Sequence, residues 1–298
     1  MTSASDPAVT LGSDRPAGSV LNALAVDRLD ERRFLARAHE GPARRSFGGE
    51  VAGQAVLAAG LTVPAGRRIH AAHTYFLLPG DTTVRTEFTV DQVRDGGAFT
   101  TRRVDARQNG RTIFTMIASF HRDERGLEHQ VARLDVPDPE DLPDPETTFG
   151  GSAENLAWAR AFMHSLGTEA RFPTLPARAL AALGRTGEPH QSVWLRSRRR
   201  VPDGSLEQAA CLTYLTDALL LSTALGPHGR TLQDGSLQFA TINHTVWFHA
   251  PIRVDEWFLY DQHSRWTGGA RALCHGEILD RSGRLCATTM QEGLLRPV

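Results

Sequence analysis

The residues Phe239-Ala-Thr-Ile-Asn-His-Thr-Val-Trp-Phe-His-Ala-Pro251 form the most informative stretch of the sequence. β-branched and aromatic residues dominate it, which predicts a β-strand. Thr241, Asn243, His244, Thr245 and His249 lie among the apolar residues. Polar groups in a half-buried strand need hydrogen-bond partners or a ligand, because burying them alone is costly. The stretch therefore predicts a core strand that also carries functional side chains.

The chain contains a second version of this stretch about 170 residues upstream. Three pairs of segments recur in the same order and at nearly constant spacing. They are Tyr75–Pro79 with Trp247–Pro251 (247 − 75 = 172), Gly96-Gly97 with Gly268-Gly269 (268 − 96 = 172), and Asn109–Arg111 with Ser282–Arg284 (284 − 111 = 173). This agreement predicts an internal duplication. Two copies are too few for a solenoid, so we expect two fused domains related by a pseudo-two-fold axis.

Each copy has the pattern of one helix followed by an antiparallel meander of strands separated by Gly and Asn turns. The first copy predicts a helix at Phe47–Gly60 and strands at Ile69–Leu78, Val84–Arg94, Ala98–Gln108 and Arg111–Arg122. The second predicts a helix at Leu206–Leu225 and strands at Leu237–His249, Glu256–Gln262, Gly269–Leu279 and Leu285–Leu294. The fold class is therefore α+β. We expect a disordered tail (1–19), a first domain (20–125), a connector (126–190) and a second domain (191–298).

Composition excludes several classes of function. Among 298 residues, 41% are hydrophobic and 22% charged, as in globular proteins that do not span membranes. A net charge of −1 argues against nucleic acid as a partner. The N-terminus lacks the apolar region of a signal peptide. Cys211, Cys274 and Cys286 form no C-x-x-C pair, which indicates neither disulfides nor zinc. We therefore expect a cytoplasmic protein.

The two copies differ where the second has acquired polar residues. Thr241 corresponds to Ile69 at the offset of 172, and Gln291 corresponds to Ala118 at the offset of 173. Asp217 falls opposite Val51 when the two helices are aligned by their ends, to within about a residue. A carboxylate inside so apolar a helix is costly unless it is hydrogen-bonded or functional. Local pairing of Asp217 is the alternative, but three such residues in one copy favour a functional site.

The chain resembles the acyl-CoA thioesterase II family. The resemblance is carried by the motifs Phe47-Gly-Gly-x-Val-x-Gly-Gln54, His73-x-Tyr-Phe-Leu-x-Pro-Gly80, Arg94-Asp-Gly96, Gln108-Asn-Gly110, Ala240-Thr-Ile-x-His244, Trp247-Phe-His249 and Gln291-Glu-Gly293. It implies a double hotdog fold, in which each half is a helix wrapped by an antiparallel sheet. It implies a catalytic trio of Asp217, Thr241 and Gln291, an acyl-CoA substrate and a homodimer or homotetramer. Asn243 departs from the family, which more usually has Asp there.

The trio suits direct attack of water on a medium- or long-chain acyl thioester. Asp217 would act as general base, while Thr241 and Gln291 would hold the water in line. Backbone N–H groups must stabilise the oxyanion, and the Gly48-Gly49 segment is the candidate because it lacks side chains. The chain has no G-x-S-x-G motif, so a covalent serine mechanism has no support.

Other residues are candidates for binding substrate. His244 lies beside the trio in sequence, and Arg94, Arg102 and Arg103 are candidates for the coenzyme A phosphates. His70, His73, His244 and His249 are interpreted as structural, because no carboxylates accompany them, so we expect neither a metal nor a cofactor.

Two other functions remain open at this point. A hotdog hydratase or dehydratase would need a base such as His249, and a non-catalytic acyl-CoA binding module would need the pocket without the trio.

Overall fold

The computed structural model describes residues 20–42, 44–130, 135–232 and 235–298. The predicted disordered tail at 1–19 lies outside the described residues. The helices are α1 (Val20–Ala23), α2 (Gly48–Gly60), α3 (Pro145–Phe149), α4 (Ala153–Leu166), α5 (Ala177–Ala182), α6 (Ser205–Thr216) and a 3-10 helix (Leu220–His228). The strands are β1 (Val26–Arg28), β2 (Arg33–Ala36), β3 (Arg67–Phe76), β4 (Thr86–Asp95), β5 (Phe99–Gln108), β6 (Arg111–Arg122), β7 (Thr168–Arg171), β8 (His190–Ser197), β9 (Leu237–Phe248), β10 (Phe258–Gly268), β11 (Arg271–Asp280) and β12 (Leu285–Pro297).

The strands form one 12-stranded antiparallel sheet in the order β1-β2-β4-β5-β6-β3-β9-β12-β11-β10-β8-β7. This order is symmetric, with β3 and β9 at the centre and equivalent strands at equal distances on either side. The sheet of the first half packs against α2, and the sheet of the second half packs mainly against the 3-10 helix that follows α6, while α6 itself packs on α2. The double hotdog α+β fold expected from the sequence is confirmed.

The strand register reproduces the duplication residue by residue. His73 on β3 pairs with Thr245 on β9, and these are equivalent positions, since 245 − 73 = 172. Ile69 pairs with Phe120, and Thr241 pairs with Gly293. Phe120 and Gly293 are themselves equivalent, since 293 − 120 = 173. The pseudo-two-fold axis therefore passes between His73 and Thr245 and joins the halves through a continuous sheet.

Helices α2 and α6 run antiparallel and touch through glycines. A Cβ on Gly49 would lie 2.4 Å from the carbonyl oxygen of Tyr214, and one on Gly53 would lie 2.8 Å from that of Ala210. Backbones can approach this closely only without a side chain between them. The glycine-rich start of α2 is therefore required by packing, and it brings the first turn of α2 to the end of α6.

The second long helix is shorter than predicted. The α-helix ends at Thr216, Leu219 takes a left-handed conformation (φ 67°), and a 3-10 helix follows from Leu220. A left-handed residue interrupts the helical hydrogen-bond ladder. Asp217 therefore lies at a helix end, where its carboxylate can face another element. The prediction of one helix over Leu206–Leu225 was wrong because the break comes from tertiary packing and not from a local Gly or Pro.

The apolar stretch Ser205–His228 has a length and mean hydropathy that would suit a membrane crossing. However, 89% of its most apolar window is buried inside the protein. The apolar character of this stretch is thus accounted for by the core around α6.

Two predicted bounds also shift. Strand β10 continues to Gly268, past the predicted end at Gln262, because its pairing with β11 runs on to the turn through a bulge between Ser264 and Trp266. The predicted connector contains α3, α4, α5 and β7, and β7 pairs with β8 as the edge strand of the second half. The strands of the second half therefore begin before residue 191.

Candidate active site

Asp217 lies where the end of α6 meets the beginning of α2. Its Oδ2 accepts a hydrogen bond from the backbone N–H of Gly49 at 2.8 Å. Phe47, the residue that precedes α2, provides no side-chain cap. The first N–H groups of a helix lack partners within it, and its positive dipole end favours an anion. A carboxylate from the second half thus caps the helix of the first half.

The three residues singled out by the duplication converge in the structure. Asp217 Oδ1 accepts from Gln291 Nε2 at 2.7 Å and from Thr241 Oγ1 at 3.2 Å. Gln291 Nε2 also donates to Thr241 Oγ1 at 2.8 Å. Both amide hydrogens of Gln291 and the hydroxyl hydrogen of Thr241 are therefore used, and they hold the carboxylate in one orientation. Gln291 is fully buried and Asp217 is 8% exposed.

The equivalent positions in the first half explain why one site exists and not two. Ile69 and Ala118 replace Thr241 and Gln291, and they are buried without polar side chains. The first half contributes the N-terminus of α2 instead. The site is thus composite, with side chains from the second half and backbone N–H groups from the first.

Gly48 and Gly49 have different roles. The Gly49 N–H is taken by Asp217, whereas the Gly48 N–H has no hydrogen-bond partner among the described residues. Gly48 lines a cavity and Gly49 does not. A Cβ on Gly48 would lie 2.8 Å from Asp217 Oδ2, so the carboxylate lies directly beside the Gly48 backbone, and both residues line the cavity.

This space opens into a cavity of about 950 Å³ between the two halves. Asp217, Thr241 and Gln291 line it together with Gly48. Its apolar wall comes from both halves and includes Phe76, Leu78, Ile113, Phe114, Leu221 and Leu225. Cavities of this size and lining are typical of sites for small molecules. The arrangement can therefore hold a long apolar group with a reactive carbonyl at the trio.

The cavity also has features that the sequence did not suggest. Its lining includes four exposed arginines, which must lie at its opening: Arg37, Arg44, Arg45 and Arg230. Trp158 and Phe162 of α4 form part of the wall, so the connector belongs to the site. The only signal for the arginines was the Arg44-Arg45 pair just before the Gly-Gly motif. His39, also at the cavity, lies 2.6 Å from Glu50, and this hydrogen bond raises the pKa of His39.

His244 does not line the cavity. It is fully buried behind the trio, with Nε2 at 3.0 Å from Thr216 Oγ1. The Thr216 hydroxyl donates to the carbonyl of Thr213, so the hydrogen on His244 must lie on Nε2. Burial lowers the pKa of His244, so the ring is neutral. Its position supports a structural role and not the predicted contact with substrate.

Asn243 holds the strand beside Gln291. Its Oδ1 accepts from the backbone N–H of Glu292 at 3.1 Å, at the bulge between Glu292 and Gly293. The amide oxygen of asparagine accepts this hydrogen bond as the carboxylate oxygen of aspartate would. The departure from Asp at this position therefore leaves the geometry of the trio in place.

The predicted phosphate-binding arginines lie elsewhere. Arg94 stands at the end of β4 and does not line the cavity. Arg102 is fully buried, with an ion pair to Asp95 at 2.9 Å, and Arg103 pairs with Asp91 on the outer surface. Arg102 thus holds the end of β4 in the first half, and none of the three arginines lines the cavity.

The remaining predicted structural histidines lie on the outer face of the sheet. The ring of His70 accepts or donates a hydrogen bond at 2.8 Å with Ser119, and His249 does so at 2.8 Å with Thr288. His73 packs edge-on against Trp247, with ring centroids 5.4 Å apart. None of the three lines the cavity.

Comparisons with known proteins agree with this geometry. The family described as acyl-CoA thioesterase matches residues 168–294, and the family described as acyl-CoA thioesterase N-terminal domain matches residues 35–121. Human acyl-coenzyme A thioesterase 8 is 35% identical over 93% of this chain and 88% of its own. Acyl-CoA thioesterase 2 of Haemophilus influenzae is 32% identical over 93% of this chain and 97% of its own.

A solved structure is similar over the whole fold. The acyl-CoA thioesterase II of Mycobacterium marinum is 36% identical, with a TM-score of 0.76 over 94% of this chain and 99% of its own. Sequence, fold and the composite site therefore lead to one conclusion: the chain belongs to the acyl-CoA thioesterase family.

Proposed function

We propose that this protein hydrolyses medium- and long-chain acyl-coenzyme A thioesters to the free fatty acid and coenzyme A. The observation that carries the proposal is the hydrogen-bonded trio of Asp217, Thr241 and Gln291, held against the N-terminus of α2 in the wall of an apolar cavity. Family membership supports the reaction class, and the geometry supports the roles given below.

Asp217 activates the attacking water. Its Oδ2 carries one hydrogen bond from Gly49 and keeps a lone pair that can accept from a water molecule. The water oxygen attacks the thioester carbonyl carbon while its proton passes to Asp217. Thr241 Oγ1 has a second lone pair beside the carboxylate and holds the water in line. Gln291 makes no contact with the water in this scheme and fixes the other two groups.

Gly48 stabilises the oxyanion. As the carbon becomes tetrahedral, negative charge develops on the carbonyl oxygen, and the free N–H of Gly48 at the positive end of α2 can donate to it. When the intermediate collapses, the carbon–sulfur bond breaks, and the proton held by Asp217 returns to the departing thiolate. Atoms and charges balance: one water is consumed, and an acid and a thiol are formed.

The geometry disfavours the two alternatives. Hydration of a double bond needs a base near the carbon next to the carbonyl, and His249, the candidate, lies on the outer face. Among the described residues, His39 is the histidine that lines the cavity, and it is paired with Glu50. A binding module would not need a carboxylate with three hydrogen bonds at the carbonyl position.

The exposed arginines at the opening would bind the coenzyme A phosphates. Within the described part of the chain, Arg44 and Arg45 make no ion pair, so their charges are available to an anion. Arg45 Nη1 donates to the carbonyl oxygen of Phe239 at 3.1 Å, which places it across the opening. Replacing Arg44 and Arg45 with Gln should lower kcat/KM for acyl-coenzyme A about tenfold. The same variant should be unchanged on acyl-pantetheine, which lacks the nucleotide phosphates.

Arg94→Gln is the matched control, because this exposed arginine lies away from the cavity. An equal loss on both thioesters would mean that the arginines support the fold of the opening. A loss in Arg94→Gln comparable with that in the Arg44 and Arg45 variant would return the phosphate site to the position first suggested by the sequence.

Hydrolysis itself is tested by release of the coenzyme A thiol from purified protein. We expect turnover that rises with chain length through the medium range, because the cavity wall is apolar. Saturable binding of acyl-coenzyme A without release would refute the proposed reaction and favour a binding module.

A further inference from the structure

A second cluster of reactive side chains lies on the outer face of the second half. His190 on β8 and His263 on β10 are cross-strand partners, and each points Nε2 at the carboxylate of Asp261, at 2.8 Å. The three ligand atoms lie within 4.8 Å of one another. Asp261 and His263 are two positions apart on β10, whereas His190 lies 71 residues before Asp261, so the sequence shows only part of the cluster.

The cluster is separate from the catalytic cavity. Tyr260 and Gln262, the neighbours of Asp261 on β10, point toward the helices, since the Tyr260 hydroxyl donates to the carbonyl of Thr216 and Gln262 Oε1 accepts from Thr223. Side chains alternate along a strand, so Asp261 and His263 point to the opposite face of the sheet. Neither is part of the cavity lining.

The cluster has the composition and support of a metal site. Imidazole nitrogen and carboxylate oxygen suit zinc and similar divalent ions. The Ser192 hydroxyl donates to Asp261 and orients it, as groups around metal ligands do. The side chain of Asp261 is 4% exposed, whereas those of His190 and His263 are 42% and 31% exposed. Solvent can therefore reach one side of the cluster and supply a fourth ligand.

The dimensions also fit. A zinc ion lies about 2.0–2.2 Å from nitrogen and oxygen ligands, so tetrahedral ligands are about 3.4 Å apart. The 2.8 Å distances join His190 Nε2 to Oδ1 and His263 Nε2 to Oδ2 of Asp261, so each must widen by about 0.6 Å for an ion held by both oxygens. The two rings are stacked with centroids 4.3 Å apart, so they must turn relative to each other to direct both nitrogens at one ion.

One further anionic group borders the cluster. Glu277, which faces Asp261 from β11, has no hydrogen-bond or ion-pair partner among the described residues. His275 stacks on His263 with ring centroids 5.2 Å apart.

We propose that His190, Asp261 and His263 bind one zinc-type divalent cation that links β8 to β10. The ion takes no part in thioester hydrolysis, because the residues that it contacts lie on the face of the sheet opposite the trio. The sequence predicted no metal from the histidines on and beside β3 and β9. The proposed site uses other histidines, on β8 and β10.

The test is titration of the metal-free full-length protein with zinc chloride, followed by calorimetry and by thermal unfolding. We expect one zinc per chain, and an unfolding midpoint raised by about 4 °C at 100-fold excess over Kd. Cobalt chloride should give the visible absorption bands of a four-coordinate site. Hydrolysis should be unchanged after chelation.

Three variants locate the ion. His190→Gln changes an exposed residue at the start of β8 and should weaken zinc binding at least about tenfold, and Asp261→Asn should do the same. His249→Gln, an exposed outer-face histidine without a carboxylate partner, is the matched control and should bind as the unmodified protein does. Absence of saturable binding would overturn the proposal. So would zinc binding that His190→Gln leaves unchanged, since the ion would then lie elsewhere.

Discussion

Replacing Gly48 with alanine should remove most of the hydrolytic activity while leaving the protein folded. The new Cβ would lie 2.8 Å from Asp217 Oδ2 and 3.0 Å from the ring of Phe76. Ordinary contact begins at 3.4 Å, so the carboxylate must move by about 0.6 Å. The hydrogen bond from Thr241 Oγ1 to Asp217 Oδ1 is already long at 3.2 Å and would be lost first.

The expected size of the effect follows from displacement of the carboxylate, because alanine keeps the backbone N–H at position 48. A misplacement of about 1 Å can cost about 10²-fold. We therefore expect kcat/KM for Gly48→Ala to fall about 10²-fold. Stability should change little, since alanine favours a helix by about 0.5–1 kcal/mol over glycine, which offsets the crowding against Phe76.

The assay is thiol release, with thermal unfolding measured on the same preparation. Gly97→Ala is the matched control, because a Cβ there would meet nothing within 4 Å, and it should retain full activity. A folded Gly48→Ala protein with unchanged kcat/KM would refute the placement of the reaction between α2 and Asp217.

Three further changes probe the trio and its support. Thr241→Val keeps the shape of the side chain but removes the hydroxyl, so kcat/KM should fall about 10- to 100-fold in the thiol-release assay, and an unchanged rate would remove Thr241 from the mechanism. Gln291→Glu places a second carboxyl group 2.7 Å from Asp217 Oδ1, so repulsion between the two carboxylates should raise the pKa of the pair. Turnover of this variant should be low at alkaline pH and recover as the pH falls. A pH–rate profile like that of the unmodified protein would contradict this. Burial lowers the pKa of His244, so the stability present above about pH 6.5 should be lost as the pH falls toward the lower folded-state value. Between about pH 7 and pH 5, His244→Gln should therefore show a smaller drop in unfolding midpoint than the unmodified protein, and an equal drop would assign the pH dependence to other groups.

The fold and the trio could be predicted from the sequence because both are recorded in local patterns and in the duplication. The register pairs His73 with Thr245 at the predicted offset, so the copies could be aligned before the structure was known. That alignment set Thr241 and Gln291 against Ile69 and Ala118. Ile69 and Ala118 show that an apolar side chain is sufficient for folding at these two positions, so the polar residues of the second copy indicate function.

The rest depends on contacts between distant segments. The end of α6 at Thr216 is set by packing, and Leu219 carries no signal for a left-handed conformation. Arginines are rarely buried, so the sequence favoured an exposed Arg102 that could bind phosphate. In the structure Arg102 is buried and is held by Thr62 and Asp95. The cluster at Asp261 is completed by His190 from the neighbouring strand β8, a contact that the sequence alone does not show.

The role of Asp217 as general base is tested most directly by thiol release from a series running from acetyl- to stearoyl-coenzyme A, with Asp217→Asn measured in parallel. Asparagine keeps the shape of the side chain and can still accept from Gly49, but it cannot take a proton. The unmodified protein should show an optimum at a medium or long chain, and the variant should lose about 10²–10⁴-fold in kcat while unfolding at a similar temperature. Turnover of Asp217→Asn at the unmodified rate would contradict the mechanism and leave Asp217 as a cap of α2 alone.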